Sequence, residues 1–224
     1  SKMMNNHLWY GLLSTYTTKI GENFDFYGGI DFRYYKGLHQ DVLTDLFGGT
    51  YFIDSYNRKN VTAENNPAVG GNSSYINEKL NDYDGFVMYE GVFAQLEYNQ
   101  DKLSAFVSGG ASNTGYWRYD RMYYSKDNAK SSTKNYLGGN IKGGANYNLT
   151  ENHNVFVNAG YINRAPMFDT SFINSQTSHD RNPDAKNEKI MSFELGYGYR
   201  SRFFTANLNG YYTRWMDKAL YDSG

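Results

Sequence analysis

The sequence predicts an all-β fold, namely an antiparallel transmembrane β-barrel segment of about eight strands. Three observations lead to this prediction. Apolar and polar residues alternate with a period of two, short and long connections alternate along the chain, and the mean hydropathy is only -0.72. A barrel wall accounts for the low hydropathy, because only those strand residues that face lipid have to be apolar.

The alternation defines the strands, because successive side chains of a strand point to opposite faces. It predicts eight strands at residues 7–19, 23–37, 84–99, 102–118, 134–149, 153–163, 188–200 and 202–218. In chain order, the clearest apolar parities are those of Phe24, Phe26, Ile30 and Phe32; Leu137, Ile141 and Tyr147; Met191, Phe193 and Leu195; and Phe204, Leu208 and Tyr212. In the first strand, the adjacent Trp9 and Tyr10 leave the facing open.

The connections between these strands alternate strictly in length. Short ones at 20–22, 100–101, 150–152 and 201 separate long ones at 38–83, 119–133, 164–187 and from 219 onward. In an antiparallel sheet alternate connections lie at opposite ends, so every tight turn lies at one end and every long loop at the other. This arrangement is typical of outer-membrane barrels, with short periplasmic turns and long extracellular loops.

The polar residues at alternate strand positions indicate what the other face of the wall contacts. It carries ionisable side chains such as Asp31, Arg33, Lys142 and Glu194. Such groups are costly in lipid, so we expect this face to line a hydrated or plugged lumen. A polar network could also fill a small barrel, although the density of charge favours a large one.

Composition excludes several other classes. The formal net charge is -1 and no polybasic segment is present, so we expect no nucleic-acid partner. The chain has no cysteine and no apolar run of helix-spanning length. No signal peptide is visible at residues 1–10, and both ends look cut, so we expect a piece of a longer protein.

The C-terminal third carries recognisable stretches. The segment from Asn158 through Arg164-Ala-Pro166 to Phe168 resembles a strand-to-loop segment of TonB-dependent outer-membrane receptors. Residues 182–189 resemble the Asn-Pro-x-Leu-Lys-Pro-Glu stretch of that family, and residues 192–197 and 209–217 resemble its late barrel strands. The order and spacing of these stretches also match the family, and their residues are similar to those of receptors from Bacteroidetes-type bacteria.

The resemblance implies a function and a set of partners. It makes residues 1–224 part of the barrel domain of a probable 22-strand wall, with the plug domain and the remaining strands absent. Such receptors import a scarce nutrient, namely a ferric chelate, haem, cobalamin, a glycan or a peptide. The expected partners are outer-membrane lipid, the plug, TonB-ExbB-ExbD acting through the plug, and in some receptors a surface lipoprotein. Asn163 and Asn187 depart from the family pattern.

Four residues near the long-loop ends of strands are candidate ligand contacts: Trp117, Arg118, Arg164 and Phe168. An aromatic and cationic cluster at 116–119 could stack on a sugar or a chelate, or anchor the headgroup boundary, and we favour the anchor. Arg164 beside Ala-Pro also suits a role in organising its loop.

The remaining chemistry-bearing residues point to no catalytic, cofactor or metal site. His7, His39, His153 and His179 lack ligand spacing. Glu188 and Glu194 would lie about 20 Å apart on one strand, too far for paired-carboxylate hydrolysis. The acidic run at 81–85 lacks the frame of a calcium loop and suits a turn leading into a strand. We therefore expect no enzyme activity.

Two other interpretations remain open at this level. The chain could be a complete eight-stranded barrel with a structural, adhesive or lipid-modifying role. It could also be a soluble all-β binding module, although such a module has no reason to keep its long loops on one side.

Overall fold

A computed structural model describes residues 1–53 and 73–219 of the chain. It contains ten strands: β1 (Lys2–Ile20), β2 (Phe24–Val42), β3 (Phe52–Ile53), β4 (Ser73–Ser74), β5 (Lys79–Gln100), β6 (Leu103–Asp120), β7 (Lys134–Asn148), β8 (His153–Arg164), β9 (Glu188–Arg200) and β10 (Thr205–Met216). Two short 3-10 turns lie at Lys126–Asn128 and Asp169–Ser171. In these described parts no helix is long and apolar enough to cross a membrane.

Eight strands form one antiparallel sheet in the order β1-β2-β5-β6-β7-β8-β9-β10. This confirms the predicted all-β antiparallel class. In the described residues β1 and β10 each pair with a single neighbour, so the sheet is open. A complete eight-stranded barrel would need β1 to pair with β10, and the open sheet does not support that alternative.

The strands on either side of the first long connection extend further than the alternation predicts. β2 continues to Val42 instead of residue 37, and β5 begins at Lys79 instead of residue 84. The reason is their mutual pairing, which runs without interruption as far as Asp41 opposite Asn81. The acidic run at 81–85 therefore lies inside a strand and not in a turn. The short strands β3 and β4 pair inside the same connection. Residues 54–72 of the loop predicted at 38–83 lie outside the described residues.

The short turns lie at one end of the sheet and the long connections at the other, as predicted. Gly21 in the β1–β2 turn has φ 68°, a left-handed conformation that glycine adopts without a Cβ clash. Asp101, in the turn between β5 and β6, has φ 45°. Both turns are tight enough to join strands that lie side by side.

The register assigns one parity of every strand to the same face. Ile141 lies opposite Tyr161, which lies opposite Met191, and all three are exposed apolar side chains. Leu137 is 76% exposed and Leu208 75% exposed on this face. We call it the outer face. Exposed apolar side chains of this number and size on one face are explained by contact with lipid.

The other face, which we call the inner face, is polar and internally hydrogen-bonded. Arg33 contacts Asp31 at 2.7 Å, and the Asn158 amide donates to Glu194 at 3.2 Å. The register also settles the facing of β1. Trp9 lies opposite Tyr35 on the inner face, and Tyr10 lies opposite Tyr34 on the outer face.

Three phenylalanine rings on the inner face lie over glycines of the neighbouring strand. The directly opposed pairs are Phe93 with Gly29, Phe106 with Gly144, and Phe156 with Gly196. A Cβ at Gly29 would lie 2.6 Å from the Phe93 ring, and one at Gly144 would lie 2.8 Å from the Phe106 ring. The glycines therefore provide the space in which large rings lie flat along the wall instead of projecting from it.

The facing assignment predicts opposite outcomes for arginine on the two faces. We expect Leu195→Arg, on the outer face, to cost about 2–4 kcal/mol and to block assembly, because the charge would enter the hydrocarbon region. Asn209→Arg, on the inner face of the neighbouring strand, should assemble normally. The amount of heat-modifiable receptor in outer membranes measures both, and equal tolerance of the two variants would overturn the facing.

The ring-over-glycine packing predicts that Gly196→Ala destabilises the wall by about 1–3 kcal/mol, because the added Cβ overlaps the Phe156 ring. Gly210→Ala is the matched control, since a Cβ there meets nothing within 4 Å. Urea unfolding of the full-length receptor in lipid vesicles gives both values. Similar midpoints for the two variants would contradict the packing argument.

Candidate functional site

The connection at 165–187 folds onto the inner face at the long-loop end of the sheet. The Tyr116 hydroxyl donates to the Pro166 carbonyl at 2.8 Å, and the hydroxyls of Tyr136 and Ser171 lie 2.8 Å apart. Pro166 and Ser171 are buried by these contacts. The loop is therefore fixed to β6 and β7 and covers the inner face.

Aromatic packing continues this contact along the loop. The Phe168 ring meets the Tyr116 ring edge-on at a centroid distance of 5.7 Å, and Phe172 packs 5.1 Å from Phe168. A Cβ at Gly85 of β5 would lie 3.0 Å from the Phe168 ring. The glycine thus lets the ring lie close to the strand, while Phe168 stays partly exposed.

A buried ion pair joins this loop to the one at 121–133. Arg118 and Asp120 are both 0% exposed, and their nearest charged atoms are 2.6 Å apart. The guanidinium also donates to the Gln176 carbonyl at 3.0 Å, and the Arg118 backbone N–H donates to Ser131 Oγ at 2.9 Å. Removing one partner of such a pair would leave a buried charge uncompensated. The contacts of Arg118 with Gln176 and Ser131 connect both loops to β6.

His179 lies between the same two loops, and its surroundings fix its tautomer. Its Nδ1 accepts from Arg118 Nη1 at 3.2 Å, and its Nε2 donates to the Asn128 carbonyl at 2.9 Å. Its ring stacks on Tyr124 at 3.7 Å. Burial, together with the charge of Arg118, lowers the pKa of His179 below its ordinary value. The neutral imidazole is therefore the form that this contact holds.

Arg181 ties the 165–187 loop to the strand and to the other loop at once. Its guanidinium lies 4.0 Å from the centre of the Phe172 ring, donates to the Tyr116 carbonyl at 3.0 Å and bonds the Ser132 carbonyl. The Arg181 guanidinium is thus stabilised by a cation–π contact and by carbonyl acceptors instead of by a carboxylate. Sequence reasoning missed Arg181 and gave no signal for it.

Arg164 and Glu188 form a second ion pair at the rim of the inner face. They are direct partners across β8 and β9, and both Arg164 Nη2 and Nε donate to Glu188 Oε2, at 2.6 Å and 2.9 Å. Glu188 is 2% exposed, whereas the Arg164 side chain is 51% exposed beside the Trp215 ring. The pair therefore anchors the two ends of the loop and leaves part of a guanidinium accessible.

The four predicted ligand contacts occupy different environments. Arg118 and Phe168 lie on the inner side under or within the loop, and Arg164 lies at its rim. Trp117 lies on the outer face, where its ring stacks on Phe86 at 5.2 Å. This placement suits the interfacial anchor that the sequence analysis favoured. Ligand binding by the four residues stays a prediction.

Cations of β2, of β5 itself and of the 121–133 loop contact the acidic run. Asp84 contacts Lys36 at 3.0 Å and Arg121 at 2.6 Å, and Asp82 contacts Lys79 at 2.6 Å. The hydrogen bond to Asp84 raises the pKa of Arg121. Within the residues that the structure describes, no group of three or more His, Cys, Asp or Glu side chains could hold a metal ion.

The family comparison agrees with this architecture. The model of the TonB-dependent receptor-like β-barrel family matches residues 3–224, so the chain belongs to that family. No curated protein matches the chain. The family comprises bacterial outer-membrane transporters, not enzymes, that work with a plug domain and TonB. Membership confirms the resemblance carried by residues 150–218 and extends it over the earlier strands.

The His179 contact predicts that the joined loops loosen in acid. Because its pKa is lowered in the folded state, the released histidine takes up a proton first as the pH falls below about 6.5. Stability is therefore kept above that range and lost below it. We expect the protection factors of the amides of residues 165–187 in the full-length receptor, which compare each exchange rate with the intrinsic rate at the same pH, to fall between pH 7.5 and pH 5.5.

His179→Gln should remove most of this pH dependence, since the side chain at that position no longer titrates. His153→Gln, at the opposite end of the sheet, is the matched control and should leave it unchanged. Protection factors with the same pH dependence in wild type and His179→Gln would contradict the assigned role.

Proposed function

We propose that the chain is the barrel portion of a TonB-dependent transporter that binds a scarce nutrient outside the cell and imports it with TonB-coupled energy. One observation carries the proposal: two long loops are locked over the inner face by the buried Arg118–Asp120 pair. A surface with fixed polar groups binds a solute without first having to become ordered. Family membership supplies the membrane setting.

The cargo classes compatible with this proposal are ferric chelates, haem, cobalamin, glycans and peptides. The wall would be completed to about 22 strands by the edges of β1 and β10, which leave unpaired backbone groups for further strands. The plug would occupy the lumen and connect the receptor to TonB-ExbB-ExbD. A surface lipoprotein above the loops belongs to the same proposal.

Within the site, exposure suggests a division of roles. Phe168 and Arg164 are partly exposed on the loop side of the inner face, and we assign ligand contact to them. Arg118 is fully buried, so its part in binding is to position the loops. Trp117 holds the wall at the membrane boundary through its contacts with Phe86 and Tyr34.

The transport proposal is tested by uptake in the source organism. Wild-type cells, a deletion of the receptor gene and a tonB deletion are compared for uptake of labelled ferric chelates, haem, cobalamin, oligosaccharides and peptides. We expect one class to require both the receptor and TonB. Uptake that requires the receptor and proceeds equally without TonB would contradict the energy coupling.

The size of the native product distinguishes the transporter from a small barrel. An immunoblot of outer membranes, boiled and unboiled, should give a heat-modifiable band several times larger than 25.7 kDa. A band near that mass would support a self-contained eight-stranded barrel and overturn the import proposal.

The proposed contact at Phe168 predicts that Phe168→Ala weakens binding of the identified cargo by about tenfold, because an aromatic contact of about 1.4 kcal/mol is lost. Phe203→Ala, at the short-turn end and 90% exposed, is the matched control. Titration calorimetry with the full-length receptor measures both. Equal affinity of the two variants would remove Phe168 from the site.

A further inference from the structure

The outer face carries an apolar hollow between β6 and β10. It has a volume of about 450 Å³. Gly143 and Ala159 lie side by side at its floor, because the two residues are direct partners across β7 and β8. Larger apolar side chains form its rim, namely Ile141, Tyr161, Phe193 and Tyr212. A trough with a floor of small residues on a lipid-facing wall matches the shape of a single extended hydrocarbon chain.

Two cations lie beside this hollow toward the long-loop end. Arg214 is directly opposite Met191, which lines the hollow, and Lys189 is two residues further along β9 on the same face. Arg214 is exposed and has no hydrogen-bond or ion-pair partner in the described parts of the chain. Lys189 contacts Asp217 at 2.9 Å and keeps 41% of its side chain exposed. Arg214, Lys189 and Asp217 together carry a net positive charge.

The position of these cations suits a headgroup. They lie near the long-loop ends of β9 and β10, the end of the sheet at which Trp117, Phe86 and Tyr34 form an outer aromatic cluster. Aromatic side chains on a lipid face collect at the membrane boundary, and long cationic side chains extend to the same level. An exposed arginine above an apolar trough has its natural counterion in a phosphate group.

We propose that this part of the outer face binds one phosphate-bearing lipid of the surrounding leaflet, with an acyl chain in the hollow and the phosphate at Arg214 and Lys189. Charge and shape together select a lipid. A protein partner would not need a trough, and free phosphate would not need an apolar surface. The lipid site depends on the membrane location of the family and not on the cargo. A failure of the import proposal would therefore leave the lipid site unaffected, and the reverse is also true.

The experiment measures lipid retained by the delipidated full-length receptor, using native mass spectrometry after addition of mixed micelles. The probes are dioleoyl phosphatidic acid and dioleoylglycerol, which have the same chains and differ in the phosphate. We expect wild-type receptor to retain one phosphatidic acid, and dioleoylglycerol at least tenfold more weakly. Equal retention of the two probes would overturn the phosphate site.

Variants separate the two halves of the site. Arg214→Gln with Lys189→Gln should weaken phosphatidic acid binding about 25-fold, because each cation near an anionic headgroup contributes about fivefold. Arg214→Lys, which keeps the charge, should restore much of the affinity. Ala159→Leu fills the hollow and should also abolish one-to-one retention.

Ala94→Leu, a substitution of the same size elsewhere on the outer face, is the control for Ala159→Leu. Unboiled gel migration confirms that each variant is folded. Loss of binding in the charge variant with full retention in Ala159→Leu would overturn the acyl-chain assignment. Full retention of phosphatidic acid by every variant would overturn the site. Wild-type receptor that retains several phosphatidic acids would also overturn it, if inorganic phosphate does not displace them and the variants retain as many.

Discussion

The pairing of every strand backbone group across the sheet is the constraint on which the rest of this structure depends. In lipid an unpaired N–H or C=O has no water to bond, so the register of the wall has to be complete. A slip of one residue would move every apolar side chain of a strand to the inner face. The unbroken register from β5 to β10 therefore fixes both the membrane contact and the polar lining.

The two faces of the paired wall place their large side chains in different ways. On the outer face, large apolar side chains stay exposed and meet lipid. On the inner face, three phenylalanines lie flat over glycines, so the wall keeps bulky rings without obstructing the space in front of it. At the long-loop end the loops at 121–133 and 165–187 cover the inner face. The close packing there is made by these loops and not by the sheet alone. The wall and the covered end are thus built from separate sets of contacts.

The covered end depends on very few groups. Arg118, Asp120, His179 and Arg181 join two loops to each other and to β6, through one ion pair and a set of carbonyl acceptors. Arg118 contacts both loops, through its guanidinium on the Gln176 carbonyl and its backbone N–H on Ser131, so the position of one loop is tied to that of the other. A transporter that binds its cargo at such a surface gains specificity from fixed donors and acceptors.

The sequence by itself determined the eight long strands, although not the full length of β2 and β5, their alternating faces and the one-sided distribution of long loops, because side-chain facing in a strand has a fixed local period of two. It also implied that the adjacent Trp117 and Arg118 point to opposite faces, a consequence that grouping them as ligand contacts overlooked. Only the tertiary structure decided which face Trp9 takes, since that follows from its register with Tyr35. It alone brought Arg118 to Gln176, 58 residues away, because that contact requires the 165–187 loop to fold over β6, and no local pattern encodes where a loop packs.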